Sequence, residues 1–321
     1  MVRYIGYAPV GESIAMLIAL TPVSRMSQLY QLSSKNRWIF FEQLSMTNFM
    51  LSLVEIIVFP EEFCYNSGYI TSEQHSACAT FVLQELVEKL SVEETGELLL
   101  QPFGYTPQLL ENLMDMALSG SVISIRRSAT KLLCFLLRRI ADSDILYMVS
   151  AGNGAAPAPA YVPNRLFPLR DRIINQIRVR ITSFMEALEV SDDDGRIISN
   201  DGNNDSNESK SNVENNENKG DNDDNKNENV GETLESDGMS NFNSETSSAP
   251  VKYSSYTVKK PFTVLRSVFF ELITLMVESD NLVADLISVE LWIQLIKWTL
   301  KYAHNSIFHA IFFRLIYSVL R

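Results

Sequence analysis

Cysteine and histidine, which often bind metals or take part in nucleophilic catalysis, are few in this sequence. Its cysteines and histidines are Cys64, Cys78, Cys134, His75, His304 and His309. Cys64, His75 and Cys78 form the one cluster of metal-ligand type, but no fourth ligand accompanies them and their spacing matches no zinc pattern. A structural role for the three is the simpler interpretation. We therefore predict no metal site and no cofactor.

The sequence also lacks the local motifs of known catalytic sites. It contains no glycine-rich phosphate loop, no nucleophile elbow and no pair of carboxylates spaced along one helix face. A metal-dependent phosphatase needs several histidine and aspartate ligands in local motifs, which these scattered histidines cannot supply. We predict that the protein is not an enzyme and has no catalytic residues.

Acidic residues are concentrated in one segment. Segment 191–250 contains 16 acidic and 4 basic residues, and it therefore carries the whole formal net charge of −12 of the 321-residue chain. The remainder is formally neutral, which argues against nucleic acid as a partner because phosphate binding needs a basic surface. The segment is rich in Asn, Asp, Glu, Ser and Gly and poor in large apolar residues, so it is predicted to be disordered.

Cysteine content and hydropathy indicate a cytoplasmic protein. Three cysteines are too few and too scattered for a disulfide framework. The uncharged run at residues 43–54 is shorter than the about 18–20 apolar residues that a membrane-spanning helix needs, and it contains Asn48 and several hydroxyl residues. We predict no membrane insertion and place the protein in the cytoplasm, with the nucleus as a second compartment.

Residues 259–321 read as three amphipathic helices joined by short turns, because apolar residues recur at spacings of three and four. The first helix is predicted to bury Phe262, Leu265, Phe269, Leu272 and Met276, and to expose Thr263, Ser267, Glu271, Thr274 and Glu278. The second, over residues 282–302, is predicted to bury Leu286, Val289, Ile293, Ile296 and Leu300. The third begins near Asn305 or Ser306.

Helices upstream have the same character. Thr106 and Pro107 start one helix, and residues 125–140 form its antiparallel partner. The inward residues of the first are predicted to be Leu109, Leu110, Leu113, Met114 and Ala117. Residues 166–188 keep the apolar spacing over six turns and predict one long helix, whereas residues 151–163, rich in Ala, Gly and Pro, predict a loop.

These patterns predict an all-α protein. A helix of this kind cannot bury its apolar face alone, which is the logic of stacked helical repeats. We predict a HEAT- or armadillo-like helical-repeat solenoid. Residues 1–190 form its first part, residues 191–250 the disordered acidic insertion and residues 251–321 its continuation. Such a protein, without catalytic motifs, presents an extended surface to other proteins.

One segment carries a family resemblance. Residues 301–309 read Lys-Tyr-Ala-His-Asn-Ser-Ile-Phe-His. The segment resembles the motif of SAPS-domain proteins, regulatory subunits of protein phosphatase 6 and its fungal Sit4-type relatives, in which a Lys/Glu-Tyr pair is followed by Trp-Asn-Asn-Phe-Leu-His. Tyr302, Asn305 and His309 match, whereas His304 stands where the family usually has Trp and Ser306 where it has the second Asn. The run that leads into the segment is also similar, at Lys260, Pro261, Phe262, Arg266, Leu272, Ile273 and Asn281.

The resemblance implies a non-catalytic regulatory or scaffold subunit that binds a type-2A-like Ser/Thr phosphatase catalytic subunit and directs it to substrates. Further scaffold subunits and substrates are additional expected partners. It also implies that the chain begins partway into the family's domain and stops just past the motif, as a fragment would. The alternative function is a helical-repeat adaptor in transport or trafficking that binds peptides in its concave groove.

Five residues are candidates for partner binding. Tyr302, Asn305 and His309 come from the resemblance, with helix capping and packing of the imidazole as the alternative explanation for the latter two. Arg126 and Arg127 belong to the arginine-rich helix at residues 125–140. Together with the helix at residues 166–188, it would form a basic ridge that meets an acidic partner or the acidic segment. A solvated helix face is the alternative.

Overall fold

The computed structural model describes residues 10–14, 34–63, 71–149, 158–190, 251–252, 257–258 and 262–321. Helices account for 80% of these residues, and the strands among them form two short hairpins. The predicted all-α class is therefore confirmed. The acidic segment at residues 191–250, for which disorder was predicted, lies outside the described residues.

The described part of the first half of the chain is mostly helical. The bounds of its helices are α1 Ser34–Met46, α2 Phe49–Val58, α3 Pro60–Phe63, α4 Ser72–Leu90, α5 Glu97–Leu100, α6 Pro102–Tyr105, α7 Pro107–Ser119 and α8 Ile123–Arg139. Residues 10–14 are also helical. Local chemistry sets the start of α4, where the Thr71 side chain accepts a hydrogen bond from the Gln74 amide and the Gln74 side chain accepts one from the Thr71 amide.

A β-hairpin follows α8. Strand β1 (Asp144–Val149) pairs antiparallel with β2 (Ala158–Pro163), with Tyr161 opposite Leu146. The loop predicted for residues 151–163 is therefore wrong for residues 158–163, and residues 151–157 lie outside the described residues. The composition of a segment does not report its pairing with a strand elsewhere in the chain, which is why the prediction failed.

Later helices are shorter than their apolar periodicity predicts. Their bounds are α9 Arg170–Arg178, α10 Ile181–Val190, α11 Val264–Ser279, α12 Val289–Lys301 and α13 Ser306–Leu320. The long helix predicted over residues 166–188 is broken by a turn at residues 179–180. The helix predicted over residues 282–302 begins only at Val289. Asn281–Leu286 form a 3-10 helix, Ile287 is extended, and the Ser288 hydroxyl caps α12 by accepting from the Leu291 amide at 3.0 Å.

The larger helices pack in pairs and in rows. The pairs are α2 with α4, α7 with α8, α10 with α11, and α12 with α13. The second helix of each pair belongs to one row, in the order α4, α8, α11 and α13, because α8 contacts both α4 and α11, and α11 contacts α13. The first helix of each pair belongs to another row, in the order α2, α7, α10 and α12, because α7 contacts α2 and α10, and α10 contacts α12.

Helix α11 lies within the second row and is buried on nearly every side. Its buried residues include Val268, Phe269, Phe270, Leu272, Ile273, Thr274, Leu275, Met276 and Val277. The predicted exposure of Thr274 is therefore wrong, and its buried hydroxyl donates to the Phe270 carbonyl at 2.9 Å. Because α8, α10 and α13 all contact α11, little of its surface faces water. In contrast, the predicted inward face of α7 is confirmed at all five positions.

Contacts divide the chain into two units, Met1–Asp193 with Phe262–Arg321, and Asp194–Pro261. Helices α1 to α10 and α11 to α13, which come from opposite sides of the acidic segment, thus belong to the same unit. In the second unit, β3 (Val251–Lys252) pairs antiparallel with β4 (Thr257–Val258).

Among the described residues, no single helix is long and apolar enough to cross a membrane. The bent pair Trp38–Met46 and Phe49–Val58 would together be long and apolar enough, by length and composition only.

Candidate protein-binding surface

Tyr302 anchors the junction between α12 and α13. Its side chain is only 1% exposed, and its ring centroid lies 5.1 Å from that of Phe262 and 6.4 Å from that of Phe308. Trp298, about one turn earlier on α12, lies 5.5 Å from Phe262 in the same cluster. Tilted and edge-to-face aromatic pairs at such distances stabilise a fold beyond the area that they bury. Tyr302 therefore holds the two helices together and presents almost no surface to a partner.

Asn305 and His309 organise the start of α13. The Asn305 side-chain oxygen accepts a hydrogen bond from the Phe308 amide at 3.0 Å, which caps the helix. The half-buried His309 ring lies 5.6 Å from the Phe308 ring and 6.3 Å from the Phe313 ring. The three residues that carry the sequence resemblance thus form one local structure, the junction of α12 with α13.

Arg126 connects three helices. Its Nε donates to the Ala117 carbonyl of α7 at 3.0 Å, and its guanidinium carbon lies 5.7 Å from the ring centroid of Phe269 on α11. Burial lowers the pKa of this guanidinium. The neighbouring Arg127 is half-buried, whereas Lys131, about one turn further along α8, is exposed. Arg126 thus contributes to the packing of three helices.

Other arginines of the predicted basic ridge pair with acidic side chains. The pairs are Arg138 with Glu271, Arg178 with Asp280 at 2.8 Å, and Arg180 with Asp115 at 3.3 Å. Arg139 instead donates to the Ser91 hydroxyl and the Glu88 carbonyl, each at 2.8 Å. These contacts cross-link neighbouring helices and neutralise much of the positive charge that a ridge would need.

Helix α12 exposes an apolar face. Val289, Ile293, Ile296 and Leu300 are 67%, 48%, 55% and 82% exposed. At about 100° per residue, these four positions fall within about 60° of one another around the helix axis. They therefore form one continuous surface, which we name the α12 stripe.

The predicted orientation of α12 is wrong. Leu286, Val289, Ile293, Ile296 and Leu300 were predicted to be buried and are exposed, whereas Leu291, Leu295, Trp298 and Tyr302 are buried. The helix has two apolar stripes with the same spacing, so periodicity alone cannot choose between them. The stripe that contains Trp298 and Tyr302 packs inward because aromatic side chains bury the most apolar area. Their position is the signal that could have identified the buried side.

Two opposite charges lie beside the α12 stripe, both on the same side of it. Glu290 and Lys297 are exposed and seven residues apart, so they lie on the same side of the stripe within about 20° of each other. Neither forms an ion pair with another residue in the described part of the chain. Helix α13 adds five exposed apolar residues of its own, Ile307, Phe313, Tyr317, Val319 and Leu320.

The residues considered for metal binding are not assembled into a site within the described ranges, where no group of three or more His, Cys, Asp or Glu side chains could hold a metal ion. Cys64 lies outside these ranges, while His75 and Cys78 lie on α4. Burial raises the pKa of the Cys78 and Cys134 thiols, so neither is an activated nucleophile.

No protein-family model, no curated protein and no solved structure matches this chain.

Proposed function

We propose that this protein is a non-catalytic regulatory subunit that binds a type-2A-like Ser/Thr phosphatase catalytic subunit, of the protein phosphatase 6 type, and directs it to substrates. The observation that supports the proposal is the common role of the three matching motif residues. Tyr302, Asn305 and His309 together build the junction of α12 with α13, as expected where a sequence motif marks a shared local structure. The departures at His304 and Ser306 fall on exposed positions of the same junction.

The proposal includes a HEAT- or armadillo-like solenoid. Two rows of paired helices, in which each pair contacts its neighbours, are what stacked two-helix repeats would produce. An extended row of this kind offers separate surfaces for a catalytic subunit and for a substrate. Tethering both raises the local concentration of substrate at an active site that this chain does not contain.

Binding of the full chain to a purified type-2A-like catalytic subunit tests the proposal directly. We expect a stoichiometric complex at physiological salt. Arg127→Glu should weaken this complex, because it reverses the charge of a candidate partner-binding residue. Lys131→Glu is the matched control, because it makes the same charge change about one turn along the same helix.

Affinity purification of the tagged chain from its own cells is the complementary experiment. Recovery of a type-2A-like catalytic subunit in near-stoichiometric amount would support the regulatory-subunit proposal. Repeated recovery of other proteins without a phosphatase, together with no complex between the purified components, would contradict it and favour the helical-repeat adaptor.

A further inference from the structure

We propose that the α12 stripe is the contact surface of a two-fold symmetric homodimer, in which α12 packs antiparallel against α12 of a second copy. The proposal does not depend on the phosphatase proposal, since it uses other residues. An outward helix face normally carries polar side chains, whereas this one carries Val289, Ile293, Ile296 and Leu300.

The order of apolar residues along the stripe fits an antiparallel copy of itself. The spacing from Val289 to Leu300 is four, three and four residues, which reads the same in both directions. A two-fold axis that crosses the stripe at the level of residues 294–295 would therefore place Val289 opposite the partner's Leu300, and Ile293 opposite the partner's Ile296. Such a self-complementary patch is what a two-fold interface requires.

The flanking charges fit the same arrangement. In an antiparallel pair, equivalent sides of the two helices face each other, so the side that carries Glu290 and Lys297 meets its own copy. The same axis brings Glu290 level with the partner's Lys297 to within about 3 Å along the helix. Both opposite-charge pairs form at once by symmetry, whereas a parallel pair would place this side against the uncharged side that carries Trp292 and Thr299. Charge complementarity thus selects a second copy and fixes its direction.

The oligomeric state of the full chain tests the proposal. We expect a monomer–dimer equilibrium by analytical ultracentrifugation, with a Kd on the order of micromolar because a single helix pair makes a small interface. Ile296→Glu should raise this Kd at least about tenfold, since it places a charge in an apolar contact. Phe81→Glu is the matched control, because Phe81 is an equally exposed apolar residue on α4 and should leave the equilibrium unchanged.

Charge reversal identifies the partner surface more sharply. Glu290→Lys alone and Lys297→Glu alone should each raise the dimer Kd about tenfold, because each variant opposes like charges at both pairs. An equimolar mixture of the two variants should restore dimerisation as a heterodimer. The double variant should restore it as a homodimer.

Disulfide cross-linking tests the direction of packing. A mixture of Val289→Cys and Leu300→Cys chains should form a covalent dimer on oxidation, because the two positions face each other. Neither variant alone should do so through its new cysteine, since antiparallel packing separates equivalent positions by about 16 Å along the axis. The unsubstituted chain is the control for the native cysteines.

Two results would overturn the proposal. One is a chain that stays monomeric at all accessible concentrations. If Ile296→Glu then also abolished binding of the phosphatase catalytic subunit, the α12 stripe would be the contact surface for that subunit. The other is a dimer that is insensitive to Ile296→Glu and to both charge reversals, which would place the interface elsewhere.

Discussion

His75 gives the fold a pH-dependent stability. The imidazole is buried near the start of α4, and burial lowers its pKa from the ordinary value. The folded state therefore keeps His75 neutral, while the unfolded chain takes up a proton near the ordinary pKa of about 6.5. The contribution to stability is complete above that pH and is lost as the pH falls toward the folded-state pKa.

Urea unfolding between pH 7.5 and pH 5 measures this effect. We expect the unfolding free energy of the unsubstituted chain to decrease by up to about 1.4 kcal/mol per pH unit through His75 as the pH falls below about 6.5. His75→Gln should reduce this slope whatever it does to stability at neutral pH. Equal slopes for the two proteins would show that His75 does not cause the pH dependence.

Single residues were predictable from the sequence when their roles are local. The cap at Asn305 depends on an amide three residues away, so residue type and position sufficed to predict where α13 begins. Tyr302 was selected as a candidate partner-binding residue because of the sequence resemblance. Its burial, however, depends on Phe262 and Phe308, which belong to other parts of the chain. Spacing along one helix cannot report contacts of that kind.

Helix α12 offers a direct test of which face is buried. Leu295 is 1% exposed, whereas Ile296, which was predicted to be buried, is 55% exposed. We expect Leu295→Ala to lower the unfolding free energy by about 2–5 kcal/mol and Ile296→Ala by less than about 1 kcal/mol. Chemical unfolding should be measured at a protein concentration low enough to keep the chain monomeric. A larger loss for Ile296→Ala than for Leu295→Ala would mean that α12 is rotated about its axis, with Ile296 on the buried side.

The predictions for whole helices succeeded where a single apolar stripe was available. Helix α7 has one such stripe, and its predicted core residues are buried. For α9 and α10 the apolar spacing correctly indicated helical structure, but the turn at residues 179–180 was missed because this spacing continues across it. For α11 the prediction of one wet face failed, because neighbours on several sides bury the helix almost completely.

Cross-links between helices connect the parts of the chain before and after the acidic segment. Arg138 of α8 pairs with Glu271 of α11, and the Cys134 thiol donates to the Val268 carbonyl at 3.6 Å. Phe184 of α10 packs edge-to-face on Phe269 of α11 at 5.4 Å. The association of these helices therefore rests on residues outside the segment at residues 191–250.

Joining Val190 directly to Val251 tests whether that association needs the acidic segment. Phe184 and Phe269 lie within about six residues of the facing ends of α10 and α11, so these ends are within about 30 Å of each other in either direction of packing. The 13 residues at 251–263 that remain between the helices span up to about 43 Å when extended, once the short pairing of β3 with β4 has opened. The deletion is therefore sterically possible.

We expect the shortened chain to keep its helix content and a single cooperative unfolding transition. Its unfolding free energy should be unchanged or higher by about 1 kcal/mol, because a shorter connection costs less closure entropy. Phe269→Ala in both backgrounds is the internal control. It should cost about 3–5 kcal/mol in each, since the ring packs on the same neighbours in both. A loss of cooperativity, or a much smaller cost in the shortened chain, would show that the acidic segment is needed to hold α10 and α11 together.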